Sequence, residues 1–154
     1  PASLTRMAEY GFYHLTRTPL DKALPKLLGR VLDGAGRAVV LVGGVERLEA
    51  LDAALWACGD PDWLPHGTPR AGHATHQPIW LTTEDAPAPN GARFLFLLDG
   101  VETAQAAAYD RILDLFDGAD EAAVAAARVR WGAAKAAGHA LTYWRQGPRG
   151  WVKG

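Results

Sequence analysis

Ala38-Val39-Val40-Leu41-Val42-Gly43-Gly44 is the stretch on which the architecture of this chain turns. Its apolar run carries no polar alternation, the pattern of a strand buried on both faces. Gly43-Gly44 closes the strand, and Val45 to Trp56 follows with helical spacing, placing Val45, Leu48, Leu51, Leu55 and Trp56 on one face. Upstream, Gly11-Phe12-Tyr13-His14-Leu15 reads as a first strand. Thr18 then offers an N-cap with Pro19 at the first helical position, ahead of Leu20, Leu24, Leu27, Leu28, Val31 and Leu32. Pro25 should kink or delay that helix, and Gly34-Ala35-Gly36 ends it.

Downstream, a long loop covers 57–77, and strands are expected at Pro78–Thr82 and Arg93–Leu98, either side of a Pro/Asn/Gly-rich stretch at 86–91. Helices are expected at Ala104–Phe116 and Asp120–Ala137, then a strand at Ala140–Trp144 and a tail at Gly147–Gly154. Strands that alternate with helices predict a three-layer α/β domain, its mostly parallel sheet covered by helices on both faces.

The chain has 154 residues, 49% of them hydrophobic and 21% charged, which suits one globular domain with a proper core. A net charge of −1 argues against a surface built to wrap nucleic acid, but it does not exclude a local basic patch. The 12 Arg against 4 Lys, with abundant Ala and Gly, fit a GC-rich genome. The single cysteine, Cys58, excludes an internal disulfide and suits a reducing compartment. No apolar run approaches the ~20 residues that span a bilayer, and no signal peptide is evident. The expectation is a cytoplasmic protein with a single domain over 7–154, residues 1–6 being a remnant ahead of a native start at Met7.

A doubly wound topology invites a search for phosphate-binding loops. Thr16-Arg17-Thr18-Pro19 has no glycine, and Gly43-Gly44-Val45-Glu46-Arg47 has neither GxGxxG nor GxxxxGK spacing. The prediction is a Rossmann-like topology without a phosphate-binding loop, in which Asp99-Gly100 is an ordinary turn. His66, His73 and His76 with Cys58 are zinc-type ligands, but their spacing matches no familiar zinc pattern. Cys58 follows a helix C-terminus, where the macrodipole disfavours a thiolate. An α/β enzyme with a loop-borne His/Cys site is therefore the lesser alternative. His14 and His139 border strands and read as structural.

The helix at 120–137 carries Arg128, Trp131 and Lys135 on one face, at i, i+3 and i+7. Ala122, Ala126, Val129, Ala133 and Ala137 form a second, small stripe that should pack on the sheet. The first face is either a solvated basic surface with a half-buried aromatic or a pocket for an acidic ligand with an apolar end, with Arg forking the carboxylate. Trp56 and Trp63 flank a turn-rich connection, and Trp63 runs into Pro65 and His66; large aromatics so placed suit a contact surface.

These features together resemble the chi subunit family of bacterial DNA polymerase III. The resemblance rests on Phe12-Tyr13, Leu51-Asp52 to Leu55-Trp56, Trp63 to His66, Gln77-Pro78-Ile79, Asn90, Leu98, and Arg128-Val129-Arg130-Trp131 leading to Gly138. It extends in order from about 11 to 144. It implies a non-catalytic accessory of the clamp loader, with no cofactor, no metal and no strong direct binding of nucleic acid. It further implies that the acidic C-terminal tail of single-stranded DNA-binding protein, ending in Pro-Phe, docks at Arg128, Trp131 and Lys135. A second surface at Trp56, Trp63, Pro65 and His66 would take the psi subunit or, in competition, a repair helicase. Trp131 stands where others have tyrosine, and Val124 and Gly132 are neutral where others carry lysine, which implies weaker tail binding.

Overall fold

A computed structural model describes residues 8–57, 64–70 and 72–154. Trp63, Cys58 and the presumed remnant at 1–6 lie outside the described residues. The chain runs β1 (Glu9–Leu15), α1 (Leu20–Asp33), β2 (Ala38–Leu41), α2 (Val45–Ala57), β3 (His66–Gly67), β4 (Ile79–Thr82), β5 (Phe94–Leu98), β6 (Arg111–Asp117), α3 (Glu121–Ala136), β7 (Ala140–Gly147) and β8 (Gly150–Lys153). Short 3-10 turns occupy Ala74–His76 and Ala106–Ala108. The described strands form one sheet in the order β3-β4-β2-β5-β6-β1-β7-β8, parallel throughout except for the β7–β8 hairpin. The expected three-layer, mostly parallel α/β architecture is the one observed.

Alternation within the central strands divides the core in two. Val40 and Val42 join Leu24, Leu28, Leu51 and Leu55 beneath α1 and α2. Val39 and Leu41 face the other way, joining Phe12, Leu97 and Tyr109 beneath α3. Each strand thus buries both faces, which is why its sequence shows no polar phase. Asn90 pins the loops at the strands' entrance. Its Nδ2 donates to the Gln77 and Ala38 carbonyls at 2.9 and 3.2 Å, and its Oδ1 accepts from Ala92 N–H.

Several local expectations give way. Pro19 rather than Thr18 occupies the N-cap of α1, because the Thr18 hydroxyl is taken by Gln146 Nε2 at 2.6 Å. Pro25 does not delay α1, which begins at Leu20 and runs on to Asp33 with Pro25 buried within it. Val45 and Trp56 do not share the buried face of α2. At ~100° per residue they lie roughly 90–110° round from Leu48, Leu51 and Leu55, and they are 62% and 60% exposed.

The expected helix at Ala104–Phe116 is instead a 3-10 turn followed by β6, placed between β5 and β1. The expected tail contains β8, the antiparallel partner of β7, and its Trp151 packs edge-on to Tyr13. No helix among the described residues is long and apolar enough to cross a membrane.

Candidate functional site

Helix α3 begins on Asp120, whose carboxylate accepts the Ala122 and Ala123 N–H groups at 2.9 and 3.3 Å, an N-cap of ordinary chemistry. Its sheet-facing stripe is Ala127, Arg130 and Ala134, with Val124 and Trp131 packed at the edges. This corrects the assignment of the small stripe: Ala122, Ala126, Ala133 and Ala137 are exposed, and Val129 is 72% exposed. The reason is a charged residue in the buried stripe. Arg130 forks Asp114 of β6 through Nε and Nη2 at 2.7 and 2.9 Å, so a guanidinium satisfied from below displaces the alanine face outward.

With α3 turned this way, Trp131 and Arg128 come to the border between helix and sheet. Trp131 sits edge-on to Phe12, ring centroids 5.3 Å apart, and is half-buried. Between α3, β1, β6 and β7 lies a groove of about 210 Å³. Phe12, Phe116 and Ala127 floor it, Trp131 walls one side, and exposed Arg128 stands on the rim. The opposite wall is one that sequence reading assigned to structure alone. His14 stacks on Phe116 at 5.0 Å and shares a hydrogen bond through Nδ1 with the Tyr143 hydroxyl. Gly118 makes this possible, since a Cβ there would come within 2.3 Å of the His14 ring.

Lys135 does not line the groove; it is exposed, two turns further along α3. Arg128 and Trp131 are therefore brought together, and Lys135 stands off by about 10 Å of helix rise from Arg128 and about 6 Å from Trp131. Chemically, the groove offers an aromatic slot with a cation and a hydroxyl–imidazole pair at its mouth.

At the far end of the sheet the second predicted cluster is partly assembled. Leu51 and Leu55 anchor α2 in the core, which aims Asp52 and Trp56 at the β3 segment. His66 is buried there. Its Nδ1 meets the Leu64 carbonyl at 2.6 Å, and its Nε2 lies 3.0 Å from Asp52 Oδ1, near enough for an ion pair though off the hydrogen-bond direction. Trp56 lays its ring against His66, centroids 4.3 Å apart, while keeping most of its own surface in solvent. Pro65 is half-buried beside it. Trp63 lies outside the described residues. His66 thus acts as a clasp beneath an exposed indole. His73 and His76 flank or end a short 3-10 turn, and no group of three or more His, Cys, Asp or Glu among the described residues is arranged to hold a metal.

The place where a doubly wound fold would carry a nucleotide is also defined. β1 and β6 are parallel neighbours whose connections lead to α1 on one face and α3 on the other, a topological switch point. The backbone N–H groups of Thr16, Arg17 and Thr18, just past β1, are the donors a phosphate would need. All three donate instead to Gln146 Oε1, at 2.9, 2.8 and 3.1 Å. The crevice also presents carboxylates, each engaged: Asp99 with Arg47 at 2.6 Å, Asp117 with Ala119 N–H at 2.9 Å, and Asp120 with α3. Asp99 and Gly100 both take positive φ, 56° and 82°, which makes Asp99-Gly100 the turn that was expected.

Comparison with known proteins agrees with this frame. Residues 7–142 match the model of the family described as DNA polymerase III chi subunit, HolC. A protein named probable DNA polymerase III subunit chi, from Rickettsia prowazekii (strain Madrid E), is 26% identical over 99 residues. That alignment spans 64% of this chain and 59% of the Rickettsia protein. With a family match running from β1 through α3 into the start of β7, the chain belongs to the DNA polymerase III chi subunit family.

Proposed function

We propose that this protein is a non-catalytic accessory subunit of the DNA polymerase III clamp-loader assembly, linking it to single-stranded DNA-binding protein through that protein's acidic C-terminal tail. The observation that carries this reading is the aromatic groove beneath Arg128. A terminal phenylalanine enters between Trp131 and Phe116, its carboxylate pairs with Arg128, and the Tyr143–His14 pair supplies polar contacts across the mouth. Lys135 reaches the acidic residues that precede Pro-Phe. Trp56, resting on His66 and beside Pro65, is the exposed anchor of a second surface, together with Trp63, for the psi subunit or a repair helicase.

Calorimetric titration with an acidic peptide ending in Pro-Phe tests the tail site. Arg128→Ala is expected to weaken binding by about 1.5–3 kcal/mol, the range for a hydrogen bond to a charged group. Amidation of the peptide's C-terminus should cause a loss of similar size, and added salt should weaken the wild-type complex. Unchanged affinity in Arg128→Ala places the tail elsewhere on the protein.

A further inference from the structure

On the opposite face from the aromatic groove, α1 and the β7–β8 hairpin enclose a concave surface of about 830 Å³. Arg17, Lys22, Lys26, Arg30 and Arg149 line it, and all five are exposed. None has an ion-pair partner among the described residues. Asp21 is the one carboxylate among the described lining residues, and it is turned to Arg47 at 3.1 Å. By contrast Arg47, Arg93, Arg111 and Arg130, which lie elsewhere, are each paired with an acid. Five cations without an acid partner among the described residues therefore share one channel in a chain of net charge −1, whereas Arg128, Lys135, Arg145 and Lys153, also without one, lie outside it.

We propose that this channel binds the phosphodiester backbone of single-stranded nucleic acid. Lys22, Lys26 and Arg30 recur at four-residue intervals, so their side chains form a row on one side of α1 at intervals of ~6 Å. An evenly repeated row suits a repeating polyanion better than a peptide whose charge gathers at one terminal carboxylate. Trp151 lines the same channel with its ring held edge-on to Tyr13, centroids 5.0 Å apart, offering an aromatic surface to a base. Such a basic channel with an aromatic wall is how sequence-tolerant single-strand binders are built, and its concavity disfavours a rigid duplex. Gln146 preorganises the channel by tying the Thr16–Thr18 backbone to the hairpin, which fixes where Arg17 leaves the chain. Five contacts give modest affinity, in roughly the 1–100 µM range of non-specific binding at physiological salt.

Fluorescence anisotropy of a labelled oligothymidylate with the full chain tests the assignment. At about −0.7 per phosphate contact, the slope of log affinity against log salt should be near −3.5. The Lys22→Gln, Lys26→Gln, Arg30→Gln triple variant should bind roughly tenfold or more weakly, with a slope shallower by about 2. These exposed, neutral changes leave the core untouched, and an unaltered thermal melt verifies it. Arg128→Ala, in the other groove, should bind the oligonucleotide like wild type. The proposal is overturned by an absence of binding at low salt, by undiminished binding in the triple variant, by equal affinity for duplex, or by equally effective displacement with polyglutamate.

Discussion

Arg130 and Asp114 show how one pair of residues sets the orientation of a helix. Both side chains are almost wholly buried, at 8% and 2% exposure, and they meet in a bidentate fork. Burial pushes the Asp114 carboxyl above its ordinary value, and the Arg130 hydrogen bond and charge pull it part of the way back. The folded chain therefore holds that proton more tightly than the unfolded chain. This contribution to stability is present below the unfolded value of 3.8 and is lost as pH rises through the higher folded value. The pair is thus better understood as specifying which face of α3 meets the sheet than as a large source of stability. Asp114→Ala, which strands a buried guanidinium, should destabilise the fold by about 3–5 kcal/mol in urea titrations. Asp114→Leu combined with Arg130→Met should recover most of that loss. A single variant that loses under about 1 kcal/mol would mean that Arg130 has another partner and that the fork does not orient α3.

At the scale of elements, α2 separates packing from presentation within one turn. Leu55 is 2% exposed and its neighbour Trp56 is 60% exposed. Leu55→Ala should cost about 2–5 kcal/mol of stability. Trp56→Ala should cost about 1 kcal/mol or less, because the indole surrenders mainly its contact with His66. The same Trp56→Ala variant should lose capture of psi or helicase in a pull-down; retained capture would remove this face from the proposed interface. That α2 existed was legible from Leu48, Leu51 and Leu55, and the βα unit around Val39–Val42 decided the fold class correctly. The strand β6 was not legible. Ile112 and Phe116 enter one core cluster while Leu113 and Leu115 enter the other, so the run lacks a polar phase and its spacing mimics a helix after the alanines at 106–108. The packing face of α3 was hidden for a different reason: Arg130 looks like a surface residue until Asp114, sixteen positions earlier, is known to lie beneath it. The wall formed by His14 and Tyr143 depends on the parallel pairing of β1 with β7, a contact across most of the chain.

For the whole molecule, the sheet separates two unlike surfaces: an aromatic groove beneath α3 and a basic channel beside α1. Net charge averages over both, and composition could therefore argue only against extensive nucleic-acid wrapping. The interior on the two faces holds three of the chain's four tyrosines, and that has a measurable consequence at alkaline pH. Burial raises the pKa values of Tyr10, Tyr13 and Tyr109, with Tyr109, 1% exposed, pushed up to about 12 and nearby Asp85 adding to the effect. A phenol that ionises later in the folded chain than in the unfolded one stabilises the fold below the unfolded pKa of 10.0, and that share is lost as pH climbs towards 12. At about 1.4 kcal/mol per unit, Tyr109 accounts for roughly 2–3 kcal/mol of the fall. Urea stability measured at pH 8, 10, 11 and 12 should decline steeply over the last two units in the wild type. Tyr109→Phe keeps the ring in the core beneath α3 while removing the titrating hydroxyl, so its decline should be shallower by that amount, the remainder coming from Tyr10 and Tyr13. Parallel curves for the two proteins would show that the Tyr109 phenol ionises in the folded chain as readily as in the unfolded one, and that this half of the core admits water.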